Sequence, residues 1–126
     1  MKNKTFFTLH TAIYGTFAFA LFVLPAWMWP LYGVQVNDQY AYFLSQHNSI
    51  FLGGIAMISY LFRDVQDATA GKQLVKGLLF TNALGMVITL YAAITGIFTG
   101  FGWSDPAFFA VMLAISVRQW QLNASQ

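Results

Sequence analysis

The stretch YFLSQHNSIFLGGIAMISYLFRDVQDATAGKQLVK, residues 42–76, decides how the rest of the chain is read. It opens on a polar cluster, Ser45-Gln46-His47-Asn48-Ser49, and continues as an apolar run over residues 50–62. It closes in a charged segment, residues 63–76, that holds Arg63, Lys72 and Lys76. An apolar run with a polar mouth on one side and a positive anchor on the other predicts a membrane-crossing helix. Composition agrees: apolar residues make up 58% of the chain and charged residues 8%, where soluble domains carry about 25% charge. Lipid is the expected solvent.

Working outward, the 126 residues are enough for one domain, 1–126. Residues 1–5 form a short basic head, and residues 6–24 are apolar apart from Thr8, His10, Thr11, Tyr14 and Thr16. Ala18-Phe19-Ala20 mimics a signal-peptidase site, but the apolar run continues to Tyr32, too long for a signal core. The expectation is a first transmembrane helix over about 5–26, kinked or ended by Pro25 and Pro30. Trp27, Trp29 and Tyr32 then sit at the membrane interface. A polar loop, residues 33–41, carries Asp38, and a second helix covers about 42–62.

The hydrophilic residues 63–73 read as a loop, with Gly71 as a turn residue. A third helix is expected over about 74–98. Ala92, Gly96 and Gly100 are spaced by four, so on a helix they share one small-residue face. Such a face packs against a neighbouring helix or, in self-association, against a second copy. Asp105-Pro106 reads as a helix start, with the acid as cap and proline in the first turn. A fourth helix follows over about 106–122, with Arg118 snorkelling and Trp120 at the interface.

Charge sets the topology. With four spans, Lys2, Lys4, Arg63, Lys72, Lys76 and Arg118 share one side, and Asp38 and Asp105 lie on the other. The positive-inside rule then makes both termini cytoplasmic. The predicted fold is all-α, an integral membrane four-helix bundle, up-down-up-down, in a bacterial inner membrane.

Side chains able to do chemistry are few. The chain has no cysteine, which excludes disulfides, thiol catalysis, Cys-ligated zinc and iron–sulfur clusters. A net charge of +2 is too small for a phosphate-tracking surface, so no nucleic-acid partner is expected. His10 lies about one turn inside the first helix, and His47 about one turn inside the second, at opposite membrane edges. One chain therefore cannot clamp a haem between the two; a single-histidine cofactor subunit, or a haem shared between chains, stays open. The simpler reading of His10 is a neutral ring bonded across helices, with Asn82 at similar depth. Asn48, Ser59 and Arg63 fall in one stripe of the second helix, and His10, Asn82, Ser59 and Arg63 are the interhelical polar candidates. Arg63 is either a positive anchor or a contact for an anionic headgroup.

The cluster Gln46-His47-Asn48 spreads around the helix, since consecutive residues point about 100° apart. It is either an interfacial cap or an outward pocket walled by Trp27, Trp29 and Trp103. In the pocket reading His47 faces the crevice and Asn48 the bundle. All four acids, Asp38, Asp64, Asp67 and Asp105, fall in expected loops or helix ends. A carboxylate-driven antiporter is therefore not expected. No Ser–His–acid set, metal-ligand spacing or phosphate-cradling glycine loop occurs. We expect no catalytic residues, no metal, no cofactor and no enzyme.

The exit from the first helix, Pro25 with Leu31-Tyr32-Gly33-Val34, the Gly53-Gly54 pair ahead of Arg63-Asp64, and Asn82-Ala83-Leu84-Gly85 form a layout over most of the chain. That layout resembles the small uncharacterised four-helix inner-membrane proteins of bacteria, DoxX-like in size. The resemblance implies a four-helix bundle and brings no catalytic residue with it. The expected function is a non-enzymatic accessory or assembly partner of a larger membrane complex. The alternatives are a small transporter or binder of an apolar or amphipathic solute at the crevice of the second helix, and the single-histidine cofactor subunit.

Overall fold

The computed structural model describes residues 1–125, and its regular elements there are all helical. In chain order they are α1 (Asn3–Val23), α2 (Pro25–Leu31), α3 (Gln39–Leu61), α4 (Ala68–Ile94), a 3-10 turn (Gly100–Trp103) and α5 (Ser104–Ala124). Three stretches are long and apolar enough to cross a membrane: Asn3–Val23, Ala68–Ile94 and Gly100–Ala124. This is a membrane protein by that measure. The 23 residues of α3 are long enough to span, but the cluster from Ser45 to Ser49 dilutes its apolar character.

Large apolar side chains stand exposed along these helices, among them Phe19, Phe51, Leu84, Val87 and Ile94. In water such a surface would aggregate; in lipid it is solvated. Polar side chains inside the helices turn back on their own backbone. The hydroxyls of Thr8, Thr11 and Thr16 donate to the carbonyls of Lys4, Phe7 and Ala12. That satisfies a hydroxyl where no water reaches it.

Four boundaries differ from the sequence reading, each for a local reason. The first helix, expected over 5–26, breaks at Leu24, and Pro25 opens α2 instead of kinking a continuous rod. The second begins three residues before 42, because the Asp38 carboxylate accepts from the Ala41 N–H and caps it. The third begins at Ala68 and not at 74, because Asp67 caps it in the same way through the Ala70 N–H. Gly71 is thus a buried helical residue and not a turn. In the fourth, Asp105 sits in the first turn of α5 and does not cap it; the 3-10 turn runs straight into the helix.

The far end of α4 overturns the proposed packing face. The helix stops at Ile94, and Gly96 takes the left-handed conformation, φ 81°. The Gly96 N–H returns to the Ala93 carbonyl and the Phe98 N–H to the Ala92 carbonyl, a glycine-terminated helix end. Gly100, φ 56°, is also outside the helix. Ala92, Gly96 and Gly100 therefore share no helix face. A Cβ on Gly96 would meet nothing within 4 Å, so no neighbouring helix of the chain packs against that position.

Contacts divide the chain into two helical units, Lys2–Asp64 and Val65 onward. In the first, α1 and α3 run antiparallel along their length. Lys4 Nζ meets Asp64 Oδ1 at 3.0 Å at one end. In the middle, Cβ atoms on Gly15 and Gly53 would each lie 3.7 Å from Ala56 and Ala18. At the other end Ser45 Oγ donates to the Leu21 carbonyl at 2.8 Å. Small residues do bring two helices together here, but they are Gly15, Ala18, Gly53 and Ala56.

In the second unit α4 packs on α5. Asn82 Nδ2 donates to Ser116 Oγ at 2.9 Å, and Ser116 donates on to the Met112 carbonyl at 2.8 Å. Gly85 leaves room for the Phe109 ring, which a Cβ would strike.

Candidate functional site

Pro25 governs the polar mouth of α3. Proline has no N–H, so the carbonyl of Leu21, four residues earlier, loses its helical donor. The turn at Leu24 then redirects the following N–H groups, with Trp27 and Met28 both donating to the Leu24 carbonyl. Bare carbonyls at membrane depth need partners. Ser45 supplies one to Leu21, and Gln46 Nε2 supplies one to Phe22 at 3.2 Å. Ser45 Oγ in turn accepts from Trp29 Nε1 at 2.8 Å. Ser49 donates to the Gln46 carbonyl. Two members of the cluster, Ser45 and Gln46, are thus consumed in holding the break between α1 and α2, and Ser49 bonds back within α3.

His47 and Asn48 remain, and neither takes its expected role. Asn48 lines a groove of about 200 Å³ with Trp29, Gln35, Leu44 and Ser45, closed on one side by the loop residues Val34 and Val36. His47 is not among the lining residues. It is exposed on α3, with ring centroids of Phe43 at 5.8 Å and Phe51 at 5.5 Å. Asn48, expected to face the bundle, is itself exposed. The expectation that His47 faces the crevice fails because the α2–α3 loop folds over the 41–45–48 side of the helix, and position 47 is rotated about 100° from 48.

Of the three tryptophans proposed as walls, only Trp29 lines this groove. Trp27 is 65% exposed. Trp103 belongs to the other unit, where it borders a shallow groove with Met86, Leu90 and Pro106. Gln46 reaches Phe22 and contributes no lining.

The interhelical polar candidates separate into different surroundings. His10 is fully buried, its Nδ1 2.9 Å from the Phe6 carbonyl, with the Phe6 ring at 4.2 Å and Tyr14 stacked at 5.9 Å. Asn82 is fully buried and bonded to Ser116. Ser59 is fully buried and Asn48 exposed, so their stripe is not one environment. Arg63 lies just beyond α3. It donates to the Tyr60 carbonyl at 2.7 Å, covers the Tyr60 ring at 4.0 Å, and meets Asp64 at 3.6 Å.

One feature escaped the sequence reading. The buried side of α5 is largely polar: Ser116, Gln119 and Asn123 lie beneath Met112 at helical spacing. The signal was present as polar residues at i, i+3 and i+7, sharing one face of the helix. Among the described residues no three of His, Asp or Glu come together as a metal-binding group. What the site can do chemically is hold a neutral group by hydrogen bonds and apolar contact. No known protein family matches the chain, and no curated protein or solved structure is similar to it.

Proposed function

We propose that the chain is a four-span protein of a bacterial inner membrane, with both termini cytoplasmic, serving as a non-enzymatic accessory or assembly partner of a larger membrane complex. The observation that carries this reading is the distribution of polar and apolar groups. Ser45, Gln46, Asn82 and Ser116 are spent on holding helices together, while large apolar side chains cover the exterior. The chain invests its hydrogen-bonding groups in architecture. Antiparallel packing of α3 along all of α1, from Lys4–Asp64 to Leu21–Ser45, supports a crossing by α3 wherever α1 crosses. This is the layout that the resemblance to DoxX-like proteins implies. Affinity purification of the tagged chain in mild detergent tests the role. A stoichiometric membrane partner is expected, and a monodisperse chain without one overturns it.

A second reading is favoured by the groove at Trp29 and Asn48. There the chain binds an apolar or amphipathic solute from the outer side of the membrane.

A further inference from the structure

The groove beside Asn48 combines three properties that together define an occupant. The first is depth. Asn48 is the tenth residue of α3, about 15 Å along the axis from the Asp38 cap. With a hydrocarbon core of about 30 Å, that places an exposed amide below the membrane edge. Leu44 and Phe51, one turn away on either side, are both exposed apolar residues.

The second is vacancy of hydrogen-bonding capacity. Ser45 and the Trp29 indole N–H are already committed, to Leu21 and to each other. Asn48 and Gln35 make no hydrogen bond to the described residues. Each side-chain amide offers two donors and an accepting oxygen. Both side chains are exposed; at the depth of Asn48 in the hydrocarbon, an amide left unmet costs several kcal/mol, while Gln35 lies in the loop above it.

The third is charge and size. No charged side chain lines the groove. The nearest acid in sequence, Asp38, is occupied as the cap of α3. The anchoring base of this unit, Arg63, lies at the opposite end of α3. A charged headgroup would lose its hydration there and gain no counter-charge. At about 200 Å³ the space falls below the roughly 300–1,000 Å³ of a site for a whole drug-sized ligand. It suits a head, with the tail left in lipid along α3.

We infer that the groove takes the head of a neutral membrane amphiphile, one carrying hydroxyl and carbonyl groups on a single acyl chain. Asn48 and Gln35 hydrogen-bond that head, and Trp29 forms its apolar wall. This rests on the second reading above and names its ligand class.

The test uses the full chain in phosphatidylcholine nanodiscs carrying Trp27→Phe, Trp103→Phe and Trp120→Phe, so that Trp29 is the sole indole. The probe is a monoacylglycerol brominated near its ester, compared with the free fatty acid brominated at the same carbon. Saturable quenching of Trp29 by the monoacylglycerol is expected, with half-saturation raised about tenfold by Asn48→Leu, the loss of one hydrogen bond to a desolvated amide. Asn48→Gln should retain binding. Asn48→Leu breaks no hydrogen bond of the fold, and circular dichroism checks its helicity. Equal saturable quenching by the fatty acid overturns the neutral-head assignment and leaves a solute site standing. Quenching by both that only rises in proportion to mole fraction overturns the site itself. Half-saturation unchanged by Asn48→Leu removes Asn48 as the contact.

Discussion

Ser45 donates its hydroxyl to the Leu21 carbonyl at 2.8 Å, the carbonyl that Pro25 deprives of a helical donor. A defect in one helix is thus repaired by a side chain of its neighbour, and the same oxygen accepts from Trp29. Ser45→Ala removes the hydrogen bonds that Ser45 makes to the Leu21 carbonyl and the Trp29 indole N–H. The expected cost is about 1–3 kcal/mol, seen as a lower thermal midpoint in detergent. Pro25→Ala restores the missing N–H, so Ser45→Ala should cost clearly less in that background. Equal cost in both backgrounds would falsify the link between proline and serine.

Much of the fold could be read from the chain because lipid leaves the backbone few options. Apolar runs of spanning length had to be helices, and the polar cluster at Ser45 stood out. The caps at Asp38 and Asp67 were missed, since a single acid in a polar loop carries no periodic signal. The role of Ser45 and Gln46 was out of reach for a different reason. Both answer a defect 24 residues earlier in sequence, a pairing that no local pattern encodes. The small-residue spacing of Ala92, Gly96 and Gly100 misled because periodicity counts only where the helix continues, and a glycine is also the residue best suited to end one.

The glycines give a second prediction, since they should respond to alanine in three different ways. Gly85→Ala drives a methyl into the Phe109 ring, and overpacking of this kind costs about 1–3 kcal/mol. Phe109→Leu should recover part of the loss. Gly96→Ala meets no neighbour but must adopt a left-handed backbone, at about 1–2 kcal/mol; Gly96→Asn should be milder, because asparagine tolerates that region. Gly54→Ala, in a helix with open space beside it, should be neutral or stabilising by up to about 1 kcal/mol. Thermal midpoints of the set decide. If Gly96→Leu proves far worse than Gly96→Ala, a packing contact at that position has been overlooked.

A third prediction concerns the seam of the second unit. Asn82 and Ser116 are fully buried and bonded to each other at 2.9 Å. Hydrogen bonds between membrane helices couple by about 0.6 kcal/mol on average and about 1.7 at most. A double-mutant cycle of Asn82→Ala and Ser116→Ala should give a coupling in that range. Strictly additive losses would mean that the contact contributes nothing beyond its two separate burials.

The last prediction decides how many times the chain crosses. If α1, α4 and α5 cross and α3 does not, Asp38 and Lys72 lie on the same side, together with Arg63, Lys76 and Arg118, and only Lys2 and Lys4 lie opposite. If α3 crosses as well, Asp38 lies outside and Lys72 inside, and all six bases share the cytoplasmic side. Composition alone leans to the first, because Ser45 to Ser49 lower the apolar character of α3. Packing argues for the second. Helix α3 runs beside α1 from Lys4–Asp64 to Leu21–Ser45, and its most polar segment is where Ser45 and Gln46 are consumed by carbonyls of α1. The polarity that makes α3 look unfit to cross is therefore partly cancelled once it lies against its neighbour. Asp38→Cys and Lys72→Cys, made singly in a chain that has no other cysteine, should react from opposite faces of sealed cells. An impermeant maleimide is expected to label position 38 directly and position 72 only after permeabilisation. The same response at both positions, whether direct labelling or labelling only after permeabilisation, would leave α3 on one side of the membrane.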